Sequence, residues 1–150
     1  MDLNVDAYIP ATYITNEFWK LDIYKRIAAI ENAMDREEME DELIDRFGDM
    51  PKAVSMLLTV AEIKAIAHDT YVENMKEKGD RIKIEFYERA KINPAMIPDL
   101  LKKYQRRLSF SATPTPSFEF IVNSRLKKTE QLEELKVFTE DMREILVDSL

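Results

Sequence analysis

Hydrophobic residues recur along this chain at two spacings, and the spacing changes near its middle. In the first half the period is helical. Trp19, Ile23, Ile27 and Ile30 fall on one stripe and predict a helix from about Asn16 to Ala33. Met39, Leu43 and Phe47 line one face of a second helix, with Ile44 beside them. Asp35 as cap and Glu38 three residues later, an aspartate version of the capping box, mark its start, and Met34 and Met39 are placed to form a hydrophobic staple. Gly48 suits a left-handed C-terminal cap, and Pro51 fits the first position of the helix that follows. That third helix is predicted from Pro51 to Met75. It carries two apolar stripes, Val54, Leu57, Leu58, Ala61 and Ala65 on one side and Met56, Val60, Ile63 and Ala67 on the other. A helix that is apolar on two sides is buried on two sides, so this one should be the central element.

Before these helices, "NVDAYIPATYI" (residues 4 to 14) alternates Val5, Ala7 and Ile9 with polar or aromatic residues and stops at Pro10, which predicts an extended lead-in. After them the period becomes two. "RIKIEF" alternates Ile82, Ile84 and Phe86 with Arg81, Lys83 and Glu85, the pattern of a strand with one wet face. "NPAMIPDLLKKY" begins a helix with Asn93 as cap and Pro94 at the first position, and Pro98 disturbs its first turn. "RLSFSA" and "SFEFIV", joined by "TPTPS", predict a hairpin with a longer loop. A last helix, from about Thr129 to Val147, places Leu132, Leu135, Phe138, Met142, Ile145 and Leu146 on one face. The order predicts one α+β domain over residues 1 to 150. Helices, including a long central one, come first. Strand, helix, hairpin and helix follow, with a small, mainly antiparallel sheet covered on one face by helices.

Composition narrows the function classes. The 150 residues contain 45% hydrophobic and 34% charged side chains, enough apolar material for a real core under a well-solvated surface. No apolar run approaches the roughly 20 residues that span a bilayer, and the N-terminus lacks a signal-peptide pattern. The absence of cysteine excludes disulfides and thiolate metal sites and fits the cytoplasm. The net charge of −7 is concentrated: between Asp35 and Asp49 eight acids face two arginines, which accounts for −6 of it. An acidic chain argues against nonspecific nucleic-acid binding, while a concentrated acidic helix is a candidate surface for a basic protein partner.

Catalytic chemistry has few candidates. His68 is the only histidine, so a transition-metal site is not expected and an ordinary helical histidine is. Two glycines, Gly48 and Gly79, cannot build a phosphate-binding loop, and no nucleophile motif is present. The chain is therefore read as a non-enzyme without cofactor or metal. The basic clusters "KKYQRR" (Lys102 to Arg107) and "RLKK" (Arg125 to Lys128) read as helix-end cations and loop residues; single-stranded nucleic acid is the alternative partner for the first, with Tyr104 as its stacking ring.

The stretch "DELIDRFGDMP" (residues 41 to 51) stands out. With Leu43, Ile44 and Phe47 turned inward, Glu42, Asp45, Arg46 and Asp49 fall at i, i+3, i+4 and i+7 and form one charged ridge. Two readings fit: a solvated face with an ordinary Glu42–Arg46 pair, or a docking surface for a complementary protein patch. "ELIDRFGDMPKAVSMLL" (Glu42 to Leu58), with "DAYIPATYI" and "KLDIYKRIA" (Lys20 to Ala28), resembles the C-terminal domain of the bacterial transcription-repair coupling factors (Mfd), and the "INPAMIPDLLKK" helix sits where that family has a similar element. The resemblance spans nearly the whole chain, by letters in the first half and by pattern in the second; "EFWKL" departs from the usual run before "YKR". It implies a regulatory domain, without catalysis, of a DNA translocase that displaces stalled RNA polymerase and recruits the repair protein UvrA. The ATP- and magnesium-dependent motor, which contacts DNA, belongs to upstream regions of such proteins. The resemblance further implies autoinhibitory docking on a UvrB-like module of the same polypeptide, masking its UvrA-binding surface. The family's docking contacts carry over onto Glu42, Asp45 and Arg46, and Asp49 completes the ridge. A different protein partner, or weak nucleic-acid binding, is the alternative.

Overall fold

A computed structural model describes residues 1 to 147. Five helices and four strands follow in the order α1 (Glu17–Ala28), α2 (Ala33–Phe47), α3 (Lys52–Asp69), β1 (Val72–Lys78), β2 (Arg81–Phe86), α4 (Ile97–Tyr104), β3 (Leu108–Ser111), β4 (Ser117–Ile121) and α5 (Lys128–Asp141). The strands form one antiparallel sheet in the order β1-β2-β4-β3. Residues two apart share a face of a strand, so Ile82, Ile84 and Phe86 of β2 point to the same side as Phe118 and Phe120 of β4, their cross-strand neighbours. That side is buried under α3 and α5. On the other side Arg81, Lys83 and Ser109 are exposed.

The two stripes of α3 do what their spacing predicts. Val54, Leu58 and Ala61 enter a core with Ile23 and Ile27 of α1, Met39 and Leu43 of α2, and Ile9 and Ile14 of the lead-in. Ile63 and Ala67 enter a second core with the inner face of the sheet and with α4 and α5. Its aromatic centre is Phe138, fully buried, stacked on Phe120 at 5.0 Å between centroids and edge-on to Phe118 at 5.7 Å.

A buried ionic network joins the layers. Glu62 on α3 is 5% exposed and accepts from Arg36 on α2 at 2.6 Å; its other oxygen lies 3.7 Å from Lys136 on α5. Arg36 also donates to Glu40 at 2.7 Å and to the Thr59 hydroxyl at 2.8 Å, so its Nε and Nη1 donors are all used.

Several boundaries differ from expectation, each for a local reason. Helix α1 stops at Ala28, and Ile30 is buried from the turn that follows it. Asn32, not Asp35, caps α2: its side chain accepts from the Asp35 N–H at 2.8 Å, and the Asp35 carboxylate accepts from the Glu31 N–H at 3.0 Å. The cap thus lies three residues earlier, because an asparagine was available there. Met34 is consequently exposed and forms no staple. Gly48 ends α2 at φ 87°, a left-handed value, but with ψ −167° the chain leaves extended. Pro51 is the cap of α3 rather than its first residue. The long third helix ends at Asp69, because Tyr71 turns the chain at φ 62°, and β1 occupies residues assigned above to that helix. A bulge between Val72 and Asn74 points both Val72 and Met75 inward. Two inward residues three apart imitate helical spacing, which hid the strand. Pro94 opens a short 3-10 turn, and α4 restarts at Ile97 with Pro98 in its first turn. The last helix runs from Lys128 to Asp141 and tightens into a 3-10 turn over Met142–Ile145.

Phe138→Ala should lower unfolding free energy by about 3–5 kcal/mol in urea titrations, since the ring is fully enclosed. Glu62→Ala should cost about 1–3 kcal/mol, because Arg36 then keeps only Glu40 and Lys136 only Glu133 as carboxylate partners; an unchanged midpoint would mean that those two carboxylates suffice.

Candidate docking surface

The ridge residues sit on the last turns of α2, and the way these turns are held determines what they can offer. Leu43, buried completely, fixes the rotation of the helix. The Tyr13 hydroxyl of the lead-in donates to the Gly48 carbonyl at 2.8 Å and approaches that of Leu43 at 3.2 Å, so the helix end is bonded from outside the helix. Burial, and then the neighbouring Asp49 carboxylate, raise the pKa of that phenol above its ordinary value.

Glu42 does not present a free carboxylate. Arg26 of α1 grips it with both guanidinium nitrogens, Nη2 reaching Oε1 at 2.5 Å and Nη1 reaching Oε2. Arg46, one turn on, adds a bond to Oε2 at 2.9 Å. The Arg26 hydrogen bonds, reinforced by those of Arg46 against a partial burial cost, hold the Glu42 carboxyl down at about 2. The same bonds raise Arg26. The Arg46 guanidinium lies 4.8 Å from the Phe47 ring centroid and 5.7 Å from that of Trp19. A ladder of Trp19, Arg46, Glu42 and Arg26 therefore runs along the seam between α1 and α2.

The four ridge residues divide. Glu42 and Arg46 are bonded to each other, as their spacing predicts. Asp45 and Asp49 are exposed and, among the described residues, take part in no ion pair. Ile44, expected inward, is 47% exposed; it lies about 100° around the helix from Leu43, past the edge of the buried face. Trp19, expected in the apolar stripe, is 49% exposed and serves Arg46 instead of a core. Sequence reasoning missed Arg26 and Trp19 as members of the site. Their spacing of seven puts them on one face of α1, but which face of α2 they meet is a tertiary fact.

The other chemical candidates are placed as follows. His68 is exposed on the last turn of α3. Among the described residues no three His, Asp or Glu side chains converge as a metal site, and no helix is long and apolar enough to cross a membrane. In "KKYQRR", Tyr104 packs edge-on against Phe120 and Phe138 and donates to Asp141, Lys103 pairs with Asp141 at 2.8 Å, and Arg107 donates to the Ile121 carbonyl and to Glu134. Those three side chains are committed within the domain. Burial and the Asp141 bond push the Tyr104 hydroxyl far above its ordinary value.

The lowered pKa of Glu42 has a testable consequence. Its folded-state value of about 2 lies below the ordinary 4.5, so its contribution to stability is complete above about pH 4.5 and is lost as pH falls toward 2. Glu42→Gln should flatten the fall in urea midpoint between about pH 5 and about pH 2.5. An unchanged slope would mean that the Arg26 grip does not persist in solution.

Comparison with known proteins agrees with the motifs. Residues 3–97 match the family model of the TRCF domain. A transcription-repair-coupling factor from Bacillus subtilis (strain 168) is 38% identical over 110 residues, covering 72% of this chain. One from Staphylococcus haemolyticus (strain JCSC1435) is 43% identical over 90 residues, 60% of this chain. The chain spans only 9% and 8% of the lengths of these two relatives. A crystal structure of the C-terminal domain of transcription-repair coupling factor superposes with a TM-score of 0.87 at 31% identity, covering 97% of this chain and 91% of that one. Motif, sequence and fold thus converge, and the chain belongs to the TRCF domain family, the C-terminal domain of the transcription-repair coupling factors.

Proposed function

We propose that this domain is a regulatory element without catalysis of its own, which docks through the end of α2 on a UvrB-like module and masks a UvrA-binding surface. Release at a stalled RNA polymerase would uncover that surface. ATP, magnesium and DNA would be handled by the motor of a full-length protein, in the cytoplasm. The single observation that carries the reading is the split ridge: Glu42 already neutralised by Arg26 and Arg46, with Asp45 and Asp49 beside it in no ion pair among the described residues.

The physics of this arrangement suits a releasable contact. Asp45 and Asp49 can accept from basic groups of a partner without losing an existing ion pair. Glu42 can engage the same partner only by loosening its hold on Arg26 or Arg46. Exchanging one ion pair for another yields little net Coulomb energy, and it yields orientation instead. A tether that raises the effective concentration to the mM range would keep such a weak contact populated until a competing interaction favours the undocked state.

The test is an NMR titration of the labelled domain with an isolated UvrB-like module of a transcription-repair coupling factor. Saturable shifts at residues 42 to 49 are expected in the wild type and should vanish in Glu42→Lys/Asp45→Lys. In a full-length protein the same pair of substitutions should raise ATPase activity and UvrA binding. Wild-type values of both, with the domain folded, would overturn the proposal.

A further inference from the structure

A second surface, remote from the ridge, has the form of a binding groove. It runs between the C-terminal half of α1, with the turn that follows it, and the one side of α3 that neither core covers. Its volume is about 900 Å³, near the upper end of the 300–1,000 Å³ typical of ligand sites. None of Glu42, Asp45, Arg46 or Asp49 lines it.

The walls are specific. Leu57 and Val60 stay half-buried although each abuts a core, and together with Ile27 and Ala61 they make an apolar floor. Ala28 and Ala65 add almost no side chain, so a backbone can approach closely. Along α3 the groove extends from Leu57 to His68, roughly 17 Å at 1.5 Å per residue, which is three turns of a docked helix. The rims carry opposite charge. Lys64 and His68 stand one turn apart on the α3 rim, and among the described residues neither enters an ion pair or a side-chain hydrogen bond. Glu31 stands on the α1 side, also without an ion-pair partner there. Arg143 and Asp69 close one end as a loose, exposed pair 3.8 Å apart.

We infer that this groove receives an amphipathic helix of a protein partner, with aliphatic side chains on its buried face, carboxylates on the flank toward Lys64 and His68, and a cation on the flank toward Glu31. The apolar floor supplies the affinity, and the opposed rims fix which way round the helix lies. Small floor residues suit this occupant, since a helix needs close approach along its whole contact, whereas a compact small molecule would use only part of a three-turn trough.

The test uses the intact domain and a stapled helical peptide of about twelve residues, with leucines at i, i+3, i+4 and i+7, glutamates on one flank and lysines on the other. Chemical shifts at Leu57, Val60, Lys64 and His68 should saturate. A peptide with its flanks exchanged should bind at least about threefold more weakly. Lys64→Glu should reverse that preference, and Ala65→Phe, which fills the trough, should weaken binding about tenfold or more. Both variants are checked for an unchanged thermal midpoint, and Glu42→Lys should bind like the wild type. Equal binding of the two peptides, no saturation at millimolar peptide, or shifts that map to the ridge would overturn the inference. So would shifts of the groove residues on concentrating the domain alone, which would assign the groove to a second copy of the chain.

Discussion

One helix is packed on two sides, and everything else in the domain is arranged by that constraint. The stripes of α3 face different cores, so α1 and α2 cannot shift on one side without an effect on the sheet and α5 on the other. Apolar contacts alone would leave the rotation and height of α3 loosely defined, because Leu, Ile and Ala faces tolerate sliding. Glu62 removes that freedom. A carboxylate that must meet Arg36 on one neighbour and Lys136 on another has one acceptable position. Buried ion pairs add little net stability compared with well-packed apolar side chains, so the value of this one lies in register.

The seam between α1 and α2 depends on that register. Arg26 can grip Glu42 with both nitrogens only when the two helices hold one relative height. Arg46 is held in turn by the Glu42 carboxylate and by the faces of Trp19 and Phe47. The seam is thus organised in advance, and the docking proposed above would leave little side-chain entropy to be lost there.

The sequence and the structure agree where periodicity is simple and part where it is not. The double stripe of α3, the alternation of β2 and the hairpin of β3 and β4 were legible because most apolar positions of each face one core or the other. Strand β1 was not, because its bulge disguises a period of two as a period of three. Ile44 and Trp19 were misplaced for a shared reason: a stripe predicts which side of a helix is apolar, not how far the neighbouring helix extends to cover it. The ridge itself was visible at the level of spacing. The grip of Arg26 was not, since it joins residues 16 apart on different helices.

The match to the family ends at residue 97, yet the likeness of fold covers 97% of the chain. The two-core plan makes sense of that gap. The first core is complete within the matched stretch, and it carries the capped turns, the Arg26 fork and the tyrosine-bonded helix end, each of which demands a particular side chain at a particular atom. From α4 onward the chain closes the second core largely with bulky apolar residues at the right intervals. Many sequences meet that demand equally well. The family model stops where that kind of demand takes over, and the likeness of fold runs on through it.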